Sequence, residues 1–405
     1  MGGSLLELLS VGEQDKHLIG NPQISFFKKV YKRHTNFSIE QISQTFFETP
    51  DFGKKVTAKI DRKGDLLYKM YLELTLPILD SNYNISYSNG IGHHIIKKID
   101  FLIGGTKIVS MSGEYLDINS ELTISNSKRY GYNKIIGKVK EYDNNSLSQE
   151  QRLYVPLPFW FCKEINQALP LISLQYHDIR VDIEFRPFND SWYSGTAMTS
   201  IPNTVSFTKT RLLCDYIFLD TYERKEFAQR ECNLLIEQIQ ESTGNQVKEN
   251  ITNEIIELYF NHPVKELFWI YQNDAVSNTN DWINYSKTVD NDNINNQIQE
   301  TVFTKFMLKF NGLDRFEERS EEYFRLVQPY QYHTSVPENY IYVYNFSLDP
   351  EKNFPTGSCN FSKIDKATLH CEMVNDHPIG QIRVYATNYN ILKIKNGMAG
   401  LMYCD

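Results

Sequence analysis

The histidines are the first place to look for chemistry in this chain. His93 and His94 are the only adjacent pair, and a metal site built on a β-barrel would want His-x-His, a following glutamate and a later histidine. Ile95-Ile96-Lys97-Lys98 follows instead, so the pair is expected in a turn that enters a strand. His177 stands beside Asp178 and His262 precedes Pro263; neither has a third partner in the sequence, and both read as hydrogen-bonded structural groups rather than bases. HExxH, Walker A, GxSxG and GxGxxG patterns are absent, which removes the common metal, phosphate and nucleophile signals. Six cysteines (Cys162, Cys214, Cys232, Cys359, Cys371 and Cys404) lack a CxxC pair and are expected as reduced, packed thiols. No catalytic residue, metal ligand or cofactor is assigned, and no enzymatic activity is expected.

Charge and modification motifs add little chemistry. The cluster Lys28, Lys29, Lys32 and Arg33 is expected on the solvated face of a short helix. The chain as a whole carries a net charge of -8, so direct nucleic-acid binding is not expected. Asn-x-Ser/Thr triplets occur by chance in an asparagine-rich chain, and without a secretory signal only those in loops, Asn284, Asn144 and Asn84, are kept as candidates for an unconventional glycan attachment. Leu5, Leu6, Leu8 and Leu9 form the one apolar cluster near the start. It is too short and interrupted to span a bilayer, but could dock on a membrane surface or a neighbouring protein, or order only within an assembly.

Any such groups must be positioned by a folded body. With 405 residues, 41% hydrophobic, 13% aromatic and 23% charged, the chain is too long for one ordinary domain and rich enough for two cores. The dominant period is two: Ile179 to Arg186 alternates apolar and charged residues, Met70, Leu72, Leu74 and Leu76 alternate with Lys69, Tyr71, Glu73 and Thr75, and Phe306, Leu308 and Phe310 alternate with Lys305, Met307 and Lys309. That is the pattern of half-exposed antiparallel strands. Two short helices are expected, one from Asn21-Pro22 to about Tyr31 with Ile24, Phe27 and Tyr31 on its apolar side, the other from Asp220 to about Gln229 anchored by Phe227.

Three collinear echoes indicate an internal duplication. Phe37-Ser38-Ile39-Glu40-Gln41-Ile42 matches Leu234 to Ile239 at an offset of 197; Gly105 matches Gly312 at 207; Tyr154-Val155 and Ile179-Arg180-Val181 match Tyr342-Val343 and Ala367-Thr368-Leu369 at 188. The expected fold is all-β, two tandem eight-stranded jelly rolls with short helices in the connections. Its divisions are an arm over 1–24, a first roll over 25–217 and a second over 218–405, with the seam near 215–225. Residues 273–296, rich in Asn and Asp, are expected as an outward surface loop.

Beyond this architecture, a chain-long signature resembles the major capsid proteins of nucleocytoplasmic large DNA viruses. It begins with Gly20-Asn21-Pro22-Gln23-Ile24, Phe26-Phe27-Lys28 and Arg33-His34-Thr35-Asn36-Phe37, and continues through Asp220-Thr221, Glu223-Arg224 and Phe227-Ala228-Gln229. It closes with Cys359-Asn360-Phe361-Ser362, Ile364-Asp365, Asn388-Tyr389-Asn390 and Gly397-Met398. The signature residues Asn21, Pro22, Phe27, Asn36, Asp220, Glu223, Arg224, Asn360, Phe361, Asp365, Asn388, Tyr389 and Gly397 are expected to serve structure. The resemblance implies a double jelly roll that forms homotrimers, with capsomers of nearly hexagonal outline tiling an icosahedral shell. It also implies contacts with neighbouring capsomers, minor capsid and penton proteins, an internal viral membrane that the N-terminal arm could reach, and assembly in the host cytoplasm. A minor capsid paralogue or an assembly scaffold of the same fold is the alternative, and a carbohydrate-binding or cupin-like jelly-roll protein the remote one.

Overall fold

The computed structural model describes residues 2–28, 31–79, 85–139, 150–194, 205–242, 244–289 and 300–404. It falls into two units, residues 1–36 and residues 37–405. None of the described helices is long and apolar enough to cross a membrane.

In the first unit, short helices span Gly3–Leu9 and Lys16–Ile19, and neither buries a residue. The helix expected from Asn21 is absent over its described part, 21–28. Asn21 sits at φ 50°, whereas an N-cap needs extended backbone. Ile24, Phe26 and Phe27 are all exposed, and a helix this short gains little without a surface to bury its apolar face.

The second unit holds two sandwiches with the same wiring. In the first, β1 (Phe37–Gln44), β2 (Lys55–Ile60), β3 (Leu66–Leu76), β4 (Ile96–Ile103), β5 (Thr106–Ser112), β6 (Gln151–Pro156), β7 (Ile179–Phe185) and β8 (Lys209–Leu219) form sheets ordered β1-β8-β3-β6 and β2-β7-β4-β5. In the second, β9 (Cys232–Glu241), β10 (Asn253–Glu257), β11 (Pro263–Asn273), β12 (Phe303–Phe310), β13 (Leu313–Asp314), β14 (Ile341–Asn345), β15 (Ala367–Met373) and β16 (Gly380–Lys395) repeat the order as β9-β16-β11-β14 and β10-β15-β12-β13. Each strand of the second set corresponds to the strand eight earlier, and all the ladders are antiparallel. This is the double jelly roll. β8 runs to Leu219, two residues past the expected boundary at 217, and α3 (Thr221–Gln229) then leads into β9.

The echoes fall on corresponding strands, but not all in register. The β4–β5 and β12–β13 hairpins turn through Gly104-Gly105 and Asn311-Gly312, with φ of 59°, 86°, 49° and 83°. Positive φ at both central residues marks the tight hairpin turn that suits the right-handed twist of strands. The 207 offset is therefore a structural equivalence. Ile179 and Ala367, facing Ile103 and Phe310, are equivalent too. Leu72 and Trp269, however, face Val155 and Tyr342, so the β6/β14 echo is one residue out. The β1/β9 echo slips likewise: Glu40 faces Tyr216, while Gln238 faces Asn388. One residue of slip exchanges the faces of a strand.

The cores are joined. The interior of the second roll, around Trp269, Phe306, Phe324 and Tyr342, is one cluster. That of the first continues without a break onto Phe268, Ile270, Ile341, Val343 and Tyr385 of the second roll. Alternate residues of β11 thus enter different clusters, Leu267, Trp269 and Tyr271 on one side and Phe268 and Ile270 on the other. The strand is buried on both faces, which is why Leu267 to Tyr271 reads as an unbroken apolar run.

Two helices absent from the sequence reading make that junction: α1 (Gly113–Thr123), capped by Ser112, and α2 (Asn126–Ile136). Residues 273–289 overturn the expectation of an outward loop. Val276, Thr279, Asn280, Asp281, Asn284, Tyr285 and Ser286 are buried, and the segment straps the two rolls together. Asn280 donates to the carbonyls of Asn189 and Trp192, and Trp282 Nε1 donates to Asp190. Polar side chains here bond buried backbone, a use that hydropathy alone does not reveal. Residues 290–299 lie outside the described ones.

Candidate assembly interfaces

The two rolls meet in an interface within the chain. The Tyr115 ring on α1 lies 6.5 Å from that of Phe268 and 6.2 Å from that of Tyr385, seating the first roll's helix on the outer face of the sheet β9-β16-β11-β14. At one end of this face Glu237 pairs with Lys163 of the first roll and with Lys265 at 2.7 Å. Lys265 is fully buried and also donates to the Pro350 carbonyl at 2.6 Å. Burial alone would raise the Glu237 carboxyl, but the two ammonium groups outweigh it and hold the pKa below its usual value. Lys265 is shifted up: burial opposes its charge, and Glu237 and Glu266 outweigh burial. Both directions describe one locked ion pair.

A second buried network braces α1 and α2. Lys138 contacts Asp117 and Glu121, each at 2.8 Å, and Arg129 contacts Glu121 at 2.9 Å. Tyr285 of the strap reaches Asp117 at 3.3 Å, and Arg129 donates to Ser335 of the second roll. The histidine pair belongs here. Burial pushes the His93 pKa down, and its Nε2 lies 3.0 Å from the Tyr132 hydroxyl. His94 is stacked on Trp282, with ring centroids 5.1 Å apart, and burial lowers its pKa strongly. Both are neutral packing groups.

The other two sheets turn charged faces outward, and the charges are paired across strands. Lys55 meets Asp182, Lys59 meets Asp178 and Lys97 meets Glu184 in the first roll. Lys305 meets Glu318 and Glu372, and Lys309 meets Asp314, in the second. These exposed pairs contribute little stability, and they interleave the two signs of charge across both faces. Among the described residues, no set of three or more His, Cys, Asp or Glu side chains could hold a metal ion. The cysteines are free, and burial pushes the Cys162 thiol up to about 12. A cleft of about 290 Å³ lies where the edges of β5 and β9 meet, lined in part by Gln238, Gln240, Asn388 and Asn390. Their carboxamides already bond one another or nearby backbone.

The signature residues are spread along the fold instead of gathering at a site. Asn21, Pro22, Phe27 and Asn36 are exposed in the first unit. Asp220 caps α3 by accepting from Thr221 N at 2.7 Å, and Glu223 lies in its first turn. Arg224 Nε reaches buried Asp65 at 2.9 Å, and Asp65 also accepts from Leu219 N. Phe227 packs with Leu66, Ala168 and Ile217. Asn360 accepts from Ser362 N, Phe361 enters the second core, and Asp365 is exposed. Asn388 and Tyr389 are buried, the Tyr389 ring 5.9 Å from the Lys265 ammonium. Gly397, at φ 79°, lies so close to Tyr176 that a Cβ would fall 2.6 Å from its ring. His177 is structural, its Nδ1 accepting from Ala399 N.

Of the glycan candidates, Asn84 and Asn144 lie outside the described residues. Asn284 is only 6% exposed. Its Oδ1 accepts from Ser286 and its Nδ2 donates to Thr288 O, so a sugar would have to displace the strap. The Lys163–Glu237–Lys265 cluster and α1 were missed by sequence reading. The usable signals were the Ser112 cap and the helical spacing of Tyr115, Ile118 and Leu122.

The repeated strand order and the extensive internal junction define a double jelly-roll protein. Residues 25–220 match the family described as major capsid protein N-terminus, and 223–400 the family described as large eukaryotic DNA virus major capsid protein. The major capsid protein of Pyramimonas orientalis virus is 37% identical, with all of both chains covered, and that of Paramecium bursaria Chlorella virus 1 is 34% identical, again over all of both. Among solved structures, a chain of the PBCV-1 virus capsid superposes with a TM-score of 0.82 at 31% identity, covering 94% of this chain and 100% of that one. The Faustovirus major capsid protein, 12% identical, shares the fold at a TM-score of 0.75 over 97% and 96% of the two chains. The chain belongs to the family of large eukaryotic DNA virus major capsid proteins, and its role is that of a structural protein of the virion capsid.

Proposed function

We propose that three copies of this chain close into a capsomer with a nearly hexagonal outline, and that capsomers tile the icosahedral shell of a large eukaryotic DNA virus. The repeated strand order carries this reading: six similar rolls in a threefold ring approach sixfold packing with closed symmetry. The working parts are an arm ahead of β1 and the two rolls, whose strands β1–β8 and β9–β16 run over 37–219 and 232–395. Many moderate contacts repeated over a lattice give a durable shell. The chain performs no catalytic turnover. Minor capsid and penton proteins are its other partners, the arm with its exposed Leu5, Leu6, Leu8 and Leu9 meets the internal viral membrane, and assembly takes place in the host cytoplasm. The signature residues act as caps, core anchors and turn positions. The genome is not contacted directly.

Native mass spectrometry of purified protein tests the trimer, and protein copy number in purified virions tests the major role. A trimer and a dominant virion band are expected; a monomer at all concentrations, or absence from mature particles, refutes the reading. Copurification of arm-bearing protein, but not an arm-deleted form, with anionic vesicles tests the membrane contact.

A further inference from the structure

The two rolls have equivalent sheets, but the chain covers only one of them in the same way. The outer face of β9-β16-β11-β14 is buried under α1, with Phe268 and Tyr385 against Tyr115. Ladder register places Tyr71 and Leu213 of the first roll where Phe268 and Tyr385 stand in the second, because Leu72 faces Leu212 as Trp269 faces Val384. It likewise puts Ile39 in the place of Glu237. Yet among the described residues Tyr71 and Leu213 are only half-buried, and Ile39 is 47% exposed. Phe227 of α3 covers the far end of this face, and at the other end Glu73 and Thr75 are buried, which leaves the stretch around Tyr71, Leu213 and Ile39 open among the described residues.

The element that would cover it is also repeated. α1 lies in the connection from β5 to β6; the corresponding connection from β13 to β14 holds the helical segment Tyr323–Val327 and its continuation Gln328–Tyr332. Phe324 fixes this segment in the second core, and Arg325 braces it through a double contact with Glu321 at 3.0 and 3.1 Å. Its other side shows Leu326, Val327 and Tyr330 to solvent, Tyr330 at 80% exposure.

We infer that the outer face of β1-β8-β3-β6 receives the 323–332 segment of a second copy, repeating between chains the contact that α1 makes within one. The inference rests on the proposed self-assembly and names the surfaces that perform it. In a ring that approaches sixfold symmetry, the rotation that carries the first roll onto the second also carries the second onto the first roll of the next copy, so α1 on its sheet is the template for both contacts. Donor and acceptor are different surfaces. The interface is therefore head to tail, and such contacts generate a ring when the rotation closes.

This polarity gives a direct test. Ile39→Glu spoils the acceptor and Tyr330→Glu the donor, each at an exposed position where the subunit keeps its fold, checked by an unchanged circular dichroism spectrum. By sedimentation velocity across a concentration series, each variant alone is expected to self-associate at least about tenfold more weakly than wild type. Mixed together they should form a heterodimer, since one retains a donor and the other an acceptor. Tyr259→Glu, exposed elsewhere on the second roll, should leave association unchanged. If wild type associates and both variants do so equally well, or if the mixture forms no heterodimer, the assigned faces are wrong while self-assembly stands. A wild type that stays monomeric removes both readings.

Discussion

Replacing Glu237 with glutamine is the sharpest test of how the rolls are held together. The substitution keeps size and shape but removes the charge that faces two lysines, one of them fully buried. Lys265 would be left with the Pro350 carbonyl and with Glu266 at 3.7 Å. Breaking one side of a buried pair costs about 3–5 kcal/mol because the remaining charge stays desolvated, and that range is expected here at pH 7. The sign with pH follows from the depressed carboxyl. Its stabilisation is fully present above the ordinary glutamate range and is lost as pH falls through the lower folded value. Wild type and E237Q should therefore converge in acid. Urea unfolding followed by tryptophan fluorescence, at fixed protein concentration because association adds stability, measures this at pH 7 and at pH 3, well below the ordinary glutamate range. In the companion variant Glu237→Leu with Lys265→Met, both charges are gone and most of the loss should be recovered. A cost for E237Q below about 1 kcal/mol at pH 7, or an equal cost at both pH values, would refute the argument that this pair is locked and buried.

Other outcomes follow from the same structure. Tyr115→Ala empties the contact between Phe268 and Tyr385 and should cost about 3–5 kcal/mol in urea unfolding. Gly104→Ala should cost about 2–4 kcal/mol, since φ is 59° and a Cβ would lie 2.6 Å from the His177 ring. Gly105→Ala, at φ 86° with open space around it, should cost only about 1–2 kcal/mol, so equal melting shifts for the two would count against the model of this turn. Asp281, whose carboxyl burial raises to about 6, keeps its proton longer folded than unfolded, so it subtracts stability as pH rises from about 4 to 6. Asp281→Asn should raise stability at pH 7 by about 1–3 kcal/mol and do little at pH 4; thermal melts at the two values decide it.

The sandwich architecture was legible because half-buried strands alternate. Ile179, Val181, Ile183 and Phe185 all point inward as their spacing indicates, and Gly105 and Gly312 mark the same tight turn. Register was legible only in part. Similar residues on strands of period two can match one position out, and only the ladders at Glu40 and Gln238 reveal the slip. The strap was misread because Asn280, which would suit a surface loop, instead satisfies the backbone carbonyls of Asn189 and Trp192. The Asn21 helix failed for want of a surface to bury Phe27, and α1 escaped notice because its apolar side serves two rolls at once.

The double burial of β11 has a consequence for the order of synthesis. Translation delivers Tyr115 and its helix well before Phe268 and Tyr385, so a nascent first half displays a bare apolar patch to water until the second half arrives. Such a patch is the kind of surface that holdase chaperones grip and that drives premature clumping. Residues 37–230 made alone should precipitate or emerge with a chaperone attached, and supplying residues 231–405 as a separate chain should restore solubility. A freely soluble, chaperone-free half-molecule would show that the patch finds cover without its partner.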